Sequence, residues 1–316
     1  MYQWEDEAFL AEAQAWIESK VVVTGEIAQP HVRWWSTVLR VPTTEGDAYF
    51  KAAAPVHRFE AALTALLCEL QPGRVPDVLA ADADRGWMLM RDGGLRLREL
   101  IQSRDDLYHW ERLLPTYAQL QIDVADHSPR MLAFGVPDER LSVLPAHLAE
   151  LLDARPPGLS DDERQRLVDA VPRVEDMCRE LGAYAVPETI QHDDLHDGQL
   201  FVRDGAYRVF DWGDSCVSHP FHTLTVTLRA AAWRLDLVPG GRELERLRDA
   251  YLEPFAVPGE AAALAYRTGT IARSLAWHRM VSAREPEFVD DEDATSAAHG
   301  LKLFLANGPI GTWRDA

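Results

Sequence analysis

The spacing of hydrophobic and polar residues changes character near residue 93. Before that point, residues 5–18 repeat apolar side chains at helical spacing and predict a first helix. Short runs rich in β-branched and aromatic residues follow, and a second helical stretch interrupts them at residues 57–70. The predicted strands lie at residues 21–30, 33–42, 47–55, 75–80 and 86–90. This part of the chain therefore predicts an antiparallel sheet of five strands with one inserted helix.

Beyond residue 95 the apolar residues recur mostly at the period of a helix. The predicted helices lie at residues 95–102, 106–125, 139–153, 160–181, 221–235, 242–252, 259–280 and 290–305. A polar, glycine-containing segment at residues 91–94 separates this region from the predicted sheet and predicts a hinge. We therefore expect an α+β protein with a small N-terminal lobe at residues 1–92 and a larger, mainly helical C-terminal lobe at residues 93–316.

The exception to the helical pattern is a predicted hairpin at residues 199–211. Asp204 and Gly205 are a strong signal for a two-residue turn, because glycine tolerates the positive φ that such a turn demands. Apolar residues flank the turn on both sides, and pairing outward from it sets Leu200 opposite Val209. The hairpin is thus predicted together with its register.

Three oxygen-bearing side chains converge at the open end of this hairpin. Gln199 faces Phe210 in the predicted register, so Asp211 lies beside Gln199, and Asp194 belongs to the polar loop at residues 192–198 just upstream. Mg²⁺ binds oxygen ligands, usually one or two carboxylates together with phosphates and water. A further carboxylate, held away from the metal, can accept a proton from an attacking hydroxyl. The local sequence therefore contains the groups that phosphoryl transfer requires.

These groups occur in the order H-x-D-x-x-x-x-[N/Q], a hairpin and then D-W-G. This order resembles the catalytic core of the aminoglycoside phosphotransferase family. These are small-molecule kinases, and the resemblance implies a two-lobed, protein-kinase-like fold. By resemblance, Asp194 orients the acceptor hydroxyl, Asp211 is the main Mg²⁺ ligand, and Gln199 takes the place of the metal-binding Asn. Gln199 departs from the family pattern by one methylene group. His192 and Asp214 are secondary candidates, Asp214 as a further metal ligand or as a cap of the turn.

The resemblance also implies a nucleotide site in the N-terminal lobe. Lys51 ends an otherwise apolar strand and resembles the lysine that contacts the α- and β-phosphates. Glu60, one turn into the next helix, resembles the ion-pair partner of that lysine. Backbone groups near Met90, Arg91 and Asp92 are expected to bind the adenine. ATP, or GTP, and Mg²⁺ are the implied cofactors.

Acidic residues outnumber basic ones by 51 to 32, which gives a formal net charge of −19. Such a surface disfavours nucleic acid as a partner, because binding it relies on Lys and Arg. A cationic small molecule would be attracted, although the charge also serves solubility. In the family, acidic groups of the C-terminal part grip substrate amines. Glu287, Asp290 and Asp291 are candidates for this role, or they form a solvated loop and helix start.

Targeting signals are missing from the sequence. No apolar run approaches the ~20 residues of a membrane helix, and the acidic N-terminus does not resemble a secretory signal. Cys68, Cys178 and Cys216 lie far apart and suggest neither disulfides nor a metal site. We therefore expect a cytoplasmic protein without a membrane partner.

The sequence as a whole predicts a kinase that phosphorylates a hydroxyl of a small molecule. An aminoglycoside-like or other cationic acceptor fits, and so does a neutral sugar or an amino alcohol. A non-catalytic nucleotide-binding regulator is the alternative, because Gln199 departs from the pattern and the predicted phosphate-covering turn at residues 28–33 is not glycine-rich. A protein kinase is disfavoured, because Asp193 replaces the Arg of protein kinases and no long activation segment follows Asp211.

Overall fold

A computed structural model describes residues 3–284 and 289–312 of the chain. The strands in these residues are Ala28–Arg33 (β1), Ser36–Thr43 (β2), Gly46–Ala53 (β3), Val78–Asp82 (β4), Trp87–Arg91 (β5), Leu95–Arg96 (β6), Asp138–Glu139 (β7), Thr189–Gln191 (β8), Leu200–Arg203 (β9), Ala206–Val209 (β10) and Cys216–Ser218 (β11). The helices are Glu7–Glu18 (α1), Phe59–Leu70 (α2), Leu97–Leu100 (α3), Tyr108–Val124 (α4), Ser128–Ala133 (α5), Leu144–Asp153 (α6), Asp161–Gly182 (α7), Thr223–Leu235 (α8), Arg242–Leu252 (α9), Gly259–Ser282 (α10) and Asp291–Ala306 (α11). The predicted α+β class is confirmed.

The chain divides into two compact units. The first unit comprises Met1–Leu97, Phe134–Val136 and Gln199–Gly213. The second unit comprises Arg98–Ala133, Pro137–Gly198 and Asp214–Ala316. The hairpin formed by β9 and β10 therefore groups with the N-terminal sheet, although it is separated from that sheet by about a hundred residues of sequence.

A five-stranded antiparallel sheet with the order β1-β2-β3-β5-β4 forms the centre of the first unit, as predicted. Helix α1 packs on the sheet through buried Ile17 and through Trp16, whose ring meets Phe50 edge-on at 5.7 Å. Trp87 of β5 contacts Phe50 in the same geometry at 5.3 Å. Such aromatic pairs favour edge-to-face contact, so this cluster holds α1 on one face of the sheet.

The first strand lies later in the chain than predicted. The turn expected at residues 28–33 is strand β1 itself, and Trp34 and Trp35 form the connection to β2. Pro30 suggested a turn, but β1 is the edge strand of the sheet, where a missing N–H costs no ladder hydrogen bond. The predicted phosphate-covering turn is therefore wrong in position.

The hairpin has the predicted register, with Arg203 opposite Ala206 and Leu200 opposite Val209. Both turn residues adopt positive φ, 53° at Asp204 and 77° at Gly205, as the two-residue turn requires. Strand β6 adds a third strand to it, where a helix was predicted from residue 95. That helix is reduced to the short α3, because residues 95 and 96 pair with β9 instead.

Helices form most of the second unit, and their ends follow local signals. Ser160 caps α7 by accepting a hydrogen bond from Glu163 N–H at 3.2 Å, and the Glu163 carboxylate accepts one from the Ser160 amide. The helix predicted from residue 139 begins only at Leu144, because Asp138 and Glu139 pair with β11 in a small sheet of order β7-β11-β8. In the part of the chain described, no helix is both long and apolar enough to cross a membrane.

Buried His222 is expected to make the stability of the protein depend on pH. Its imidazole lies between the hydroxyls of Ser218 (2.7 Å) and Thr268 (2.9 Å), and burial lowers its pKa from the ordinary 6.5 to about 3. Between these pH values the unfolded chain binds a proton that the folded chain does not. The free energy of unfolding should therefore fall as the pH drops below 6.5, by up to about 1.4 kcal/mol per pH unit from this group.

Urea unfolding between about pH 7 and pH 5 measures this dependence. The variant His222→Gln keeps hydrogen-bonding groups but cannot titrate, so its stability should change less over the same range. Equal pH dependence of the two proteins would contradict the assignment.

Candidate active site

Buried Lys51 of β3 is the centre of the candidate nucleotide site in the first unit. Its ammonium donates to Glu60 Oε1 at 2.6 Å and also to Asp211 Oδ1. Burial by itself would lower the pKa of Lys51, but the charges of Asp211 and Glu60 and their hydrogen bonds raise it above its usual value. Lys51 is therefore a fixed cation held between two carboxylates from distant parts of the sequence.

The D-W-G segment is held against the start of α2. Trp212 is fully buried and donates from Nε1 to the Val209 carbonyl at 3.0 Å. The Gly213 carbonyl lies 2.8 Å from His57 Nδ1, and a Cβ atom at Gly213 would lie only 3.2 Å from Glu60 Oε2. A larger residue at position 213 would press on the carboxylate that binds Lys51. This packing gives a physical reason for the glycine of the motif.

Asp211 and Gln199 are the predicted donors for a metal ion. The Phe210 amide donates to the Gln199 carbonyl at 2.8 Å, which sets Gln199 beside the residue that precedes Asp211. Asp211 has a left-handed backbone (φ 64°), and its side chain is 45% exposed. A carboxylate offers about four lone-pair directions, so Asp211 can bind both Lys51 and a cation. One carboxylate and one amide oxygen, with phosphates and water, match the ligands of Mg²⁺.

Metal sites built from side chains alone are not seen in the described part of the chain. No group of three or more His, Cys, Asp or Glu side chains there is arranged to hold an ion.

The residues expected to bind adenine lie at the end of β5. There the amides of Arg91 and Asp92 already donate to the carbonyls of Asp77 (2.9 Å) and Asp47 (3.2 Å), and Met90 is paired within the sheet.

The loop that carries Asp194 belongs to the second unit and is braced by His192. The His192 imidazole is buried, and its Nδ1 accepts a hydrogen bond from the Asp194 amide at 3.2 Å. The His192 amide donates to the hydroxyl of Tyr117 of α4 at 3.1 Å. Asp193 adopts a left-handed backbone (φ 61°), which glycine adopts most readily. His192 therefore shapes the backbone around Asp194.

Arg273 of α10 binds three carboxylates of the candidate site. Its guanidinium donates to Asp194 Oδ1 (3.2 Å), Asp193 Oδ2 (3.3 Å) and Asp214 Oδ2 (3.2 Å). The side chain of Asp193 is only 2% exposed, and burial raises its pKa while the charge of Arg273 opposes the rise. Arg273 thus compensates the acidic residues that surround Asp194 and sets their orientation.

The sequence analysis missed Arg273. Its signal is a single charge within the uncharged run at residues 268–276, most of which is buried. A charge in such a run needs a partner. Asp214, predicted as a metal ligand or a cap, is one of its partners.

His196 is a second neighbour of Asp194 that the sequence analysis did not single out. Its Nδ1 accepts from the Gly198 amide at 2.9 Å, and Arg98 Nη2 lies 3.3 Å from the same atom. His196 Nε2 faces Asp194 Oδ2 at 3.4 Å. Asp194 is therefore held by a guanidinium on one oxygen and an imidazole on the other.

The acidic segment before α11 has structural roles where it is described. The Asp290 side chain caps α11 by accepting from the Asp293 amide at 2.8 Å, and Asp293 forms an ion pair with Arg284 at 2.6 Å. Glu287 and the side chain of Asp291 lie outside what the structure describes. The idea that this segment grips substrate amines stays a prediction.

Removing Arg273 should destabilise the protein and lower the rate of the reaction for which Asp194 is the candidate catalytic residue. In Arg273→Ala, buried Asp193 loses a charged partner, and the free energy of unfolding should fall by about 3 to 5 kcal/mol. Arg273→Lys keeps the charge but not the planar group that reaches three carboxylates, so kcat should fall by about tenfold with a smaller loss of stability. Urea unfolding and steady-state kinetics measure the two effects.

Arg246→Ala is the matched control, because Arg246 pairs with Glu111 at 3.2 Å on the surface of the same unit. Exposed pairs of this kind contribute about 0 to 1 kcal/mol. If Arg273→Ala and Arg246→Ala unfolded alike, Arg273 would not be the residue that compensates the buried acids.

Comparison with known proteins identifies the family of the chain. The model of the phosphotransferase enzyme family, the family of the aminoglycoside phosphotransferases, matches residues 26–266. The fold and the family together define a small-molecule kinase. The chain belongs to the phosphotransferase enzyme family. No curated protein matches the sequence at a significant level.

Several solved structures share the fold at low sequence identity. Choline kinase LicA from Streptococcus pneumoniae is 15% identical and has a TM-score of 0.63, with 93% of this chain and 99% of that chain covered. Aminoglycoside 2'-phosphotransferase-IIIa, in its GDP complex, is 13% identical with a TM-score of 0.62 and 96% and 99% coverage. Amicoumacin kinase, in complex with AMP-PNP and Ca²⁺, is 11% identical with a TM-score of 0.59 and 98% and 96% coverage.

Proposed function

We propose that the protein transfers the γ-phosphate of ATP, or of GTP, to a hydroxyl of a small molecule, with Mg²⁺ bound by Asp211 and Gln199. The observation that carries the proposal is buried Lys51, which binds Glu60 and Asp211 at once. Kinases use a lysine held by a helix carboxylate, together with a metal-binding carboxylate, to grip the nucleotide phosphates. A purely structural ion pair would not need the second, half-exposed carboxylate.

The nucleotide would bind residues 1–92 together with the hairpin. Lys51 would move its ammonium from Asp211 to the α- and β-phosphates, while Glu60 keeps it in place. Asp211 and Gln199 would hold Mg²⁺, which would supply positive charge to the nucleotide phosphates. Backbone carbonyls at Met90, Arg91 or Asp92 would accept from the adenine amino group, because the amides of Arg91 and Asp92 are used within the unit.

The acceptor would bind to the C-terminal part of the chain, residues 93–316, where Asp194 orients its hydroxyl and accepts its proton. The contacts from Arg273 and His196 hold the Asp194 carboxylate in one orientation before the acceptor arrives. Catalysis of this kind is mostly positioning and charge stabilisation. Two fixed partners on one carboxylate are what such positioning requires.

The fold by itself leaves the acceptor open. The three similar structures are named for choline, aminoglycoside and amicoumacin as acceptors, which differ in charge and shape. The net charge of −19 would concentrate cations near the protein, but it acts over the whole surface. The class of acceptor therefore has to come from the residues of a particular pocket.

Thermal stabilisation by ATP with and without Mg²⁺, followed by ADP release with a panel of acceptors, tests the proposal. We expect stabilisation that requires Mg²⁺ and ADP release that requires an acceptor. A non-catalytic regulator would instead bind nucleotide weakly or without Mg²⁺. It would also release no ADP with any acceptor.

A further inference from the structure

A pocket of about 510 Å³ opens between α8, α10 and α11 of the second unit. This volume lies within the range of ~300 to 1,000 Å³ typical of small-molecule sites. The described residues of its lining come from all three helices, among them Trp233 of α8, Trp277 of α10 and His299 of α11. The pocket thus has the size and the enclosing elements of a ligand site.

Arg273 connects this pocket to the candidate catalytic residue. Its side chain lines the pocket, and its Nη2 donates to Asp194 Oδ1 at 3.2 Å. A molecule in the pocket would therefore lie beside the guanidinium that orients Asp194. This connection is the reason to consider the pocket as the place for an acceptor.

Two tryptophans give the pocket flat apolar walls. Trp233 lines the pocket and is 64% exposed, so its indole is accessible to a molecule bound there. Trp277 also lines the pocket, and the Arg273 guanidinium lies over its ring at 5.2 Å from the centroid. Indole rings pack well on the flat faces of aromatic rings and on the C–H faces of sugars.

The charges of the pocket do not favour a cation. Among its described lining residues, Arg229 and Arg273 are cationic and Glu292 is the one carboxylate. Arg229 Nη2 lies 2.9 Å from His299 Nε2, so the guanidinium is held at the wall of the pocket. Three carboxylates already compensate Arg273, and the remaining charges of the described lining, Arg229 and Glu292, are one of each sign, so the pocket wall offers no excess of carboxylates to a polyamine.

We propose that this pocket binds the acceptor, and that the acceptor is a neutral, hydroxyl-bearing compound with a flat apolar face, such as a glycoside, and not a polyamine. The inference rests on the proposed phosphotransferase function and deepens it. The flat face would lie on Trp233, while hydroxyl oxygens would accept from Arg229. A hydroxyl of the same molecule would then face Asp194, to which it gives up its proton as its oxygen attacks the γ-phosphorus and ADP leaves.

Binding and kinetics with neutral and cationic probes test this proposal. Phenyl and p-nitrophenyl glycosides of glucose, galactose and N-acetylglucosamine are the neutral probes, and kanamycin and choline are the cationic ones. Calorimetry on the full chain with Mg²⁺ and AMP-PNP should detect binding of neutral probes. Trp233→Ala should weaken that binding by about tenfold. It should raise the KM for a glycoside that the enzyme phosphorylates by the same factor, without changing kcat or the KM for ATP. Trp233→Phe should restore most of the affinity.

Tyr108→Ala is the matched control, because Tyr108 is also an exposed aromatic of the second unit but does not line the pocket. It should leave the affinity unchanged. Failure of every neutral glycoside to bind, or phosphorylation of kanamycin or choline that Trp233→Ala does not affect, would overturn the inference. The phosphotransferase proposal would survive either result, since it fails only when Mg²⁺-dependent nucleotide binding and ADP release are both absent.

Discussion

Replacing Asp194 with Asn is expected to lower kcat by about a thousandfold and to leave the affinity for Mg²⁺-ATP unchanged. The amide has nearly the shape of the carboxylate, and its oxygen can still accept from Arg273, so the loop should keep its conformation. The Asn amide, however, cannot accept the proton of the acceptor hydroxyl. The nucleotide would depend instead on Lys51 and Asp211, which belong to the first unit. Single-turnover kinetics together with calorimetry of ATP binding separate the two effects.

Asp204→Asn is the control for this substitution. Asp204 is an exposed residue of the hairpin turn with φ 53°, which Asn tolerates, so the same chemical change there should be silent. A kcat for Asp194→Asn within about twofold of the control would show that Asp194 does not accept the proton, since proton acceptance is worth at least about a hundredfold.

Replacing Asp211 with Asn is expected to abolish the dependence of ATP binding on Mg²⁺ and to lower kcat by at least about a thousandfold. The carboxylate is the charged member of the proposed metal site, and an amide binds Mg²⁺ much less strongly. Asn accepts the left-handed backbone found at this position (φ 64°), so the local fold should persist. Titrations of ATP with and without Mg²⁺, and kcat at saturating ATP, measure the effect.

Asp77→Asn is the matched control in the same unit. Asp77 is also partly exposed and also binds a cationic side chain, Arg208, at 2.9 Å, but it lies outside the predicted metal site. Its replacement should leave Mg²⁺-dependent binding intact. Binding of ATP by Asp211→Asn with the Mg²⁺ dependence of the wild type would remove Asp211 from the metal site.

Buried Lys51 should still remain charged in Asp211→Asn. Glu60 is fully buried, lies 2.6 Å from the ammonium, and continues to raise the pKa of Lys51 against the effect of burial. A loss of activity in this variant can therefore be assigned to the metal site and not to a neutral lysine.

Local signals in the sequence were sufficient for the hairpin and for helix ends. Asp204 and Gly205 set the turn and thereby the pairing of β9 with β10, because a two-residue turn leaves only one register. The cap at Ser160 is set in the same way, since its partner Glu163 is three residues away. Features of this kind depend on residues that are neighbours in the chain, so they can be read from it.

The position of strand β1 could not be predicted from the local sequence. Pro30 is compatible with a turn and with an edge strand, and the choice depends on which strand lies beside it. The pairing of β1 with β2, and the packing of the sheet against α1, decide in favour of the strand. Nothing within a few residues of Pro30 contains that information.

The candidate site also contains both local features and features that depend on the fold. The sequence by itself determined the spacing of Asp194, Gln199 and Asp211, because all three lie within one short loop and hairpin. Only the tertiary structure decided that Lys51 binds Asp211 across a separation of 160 residues, and that Arg273 binds Asp194 across 79. Contacts at such separations form because buried charges need partners, and the fold alone determines which residues are within reach.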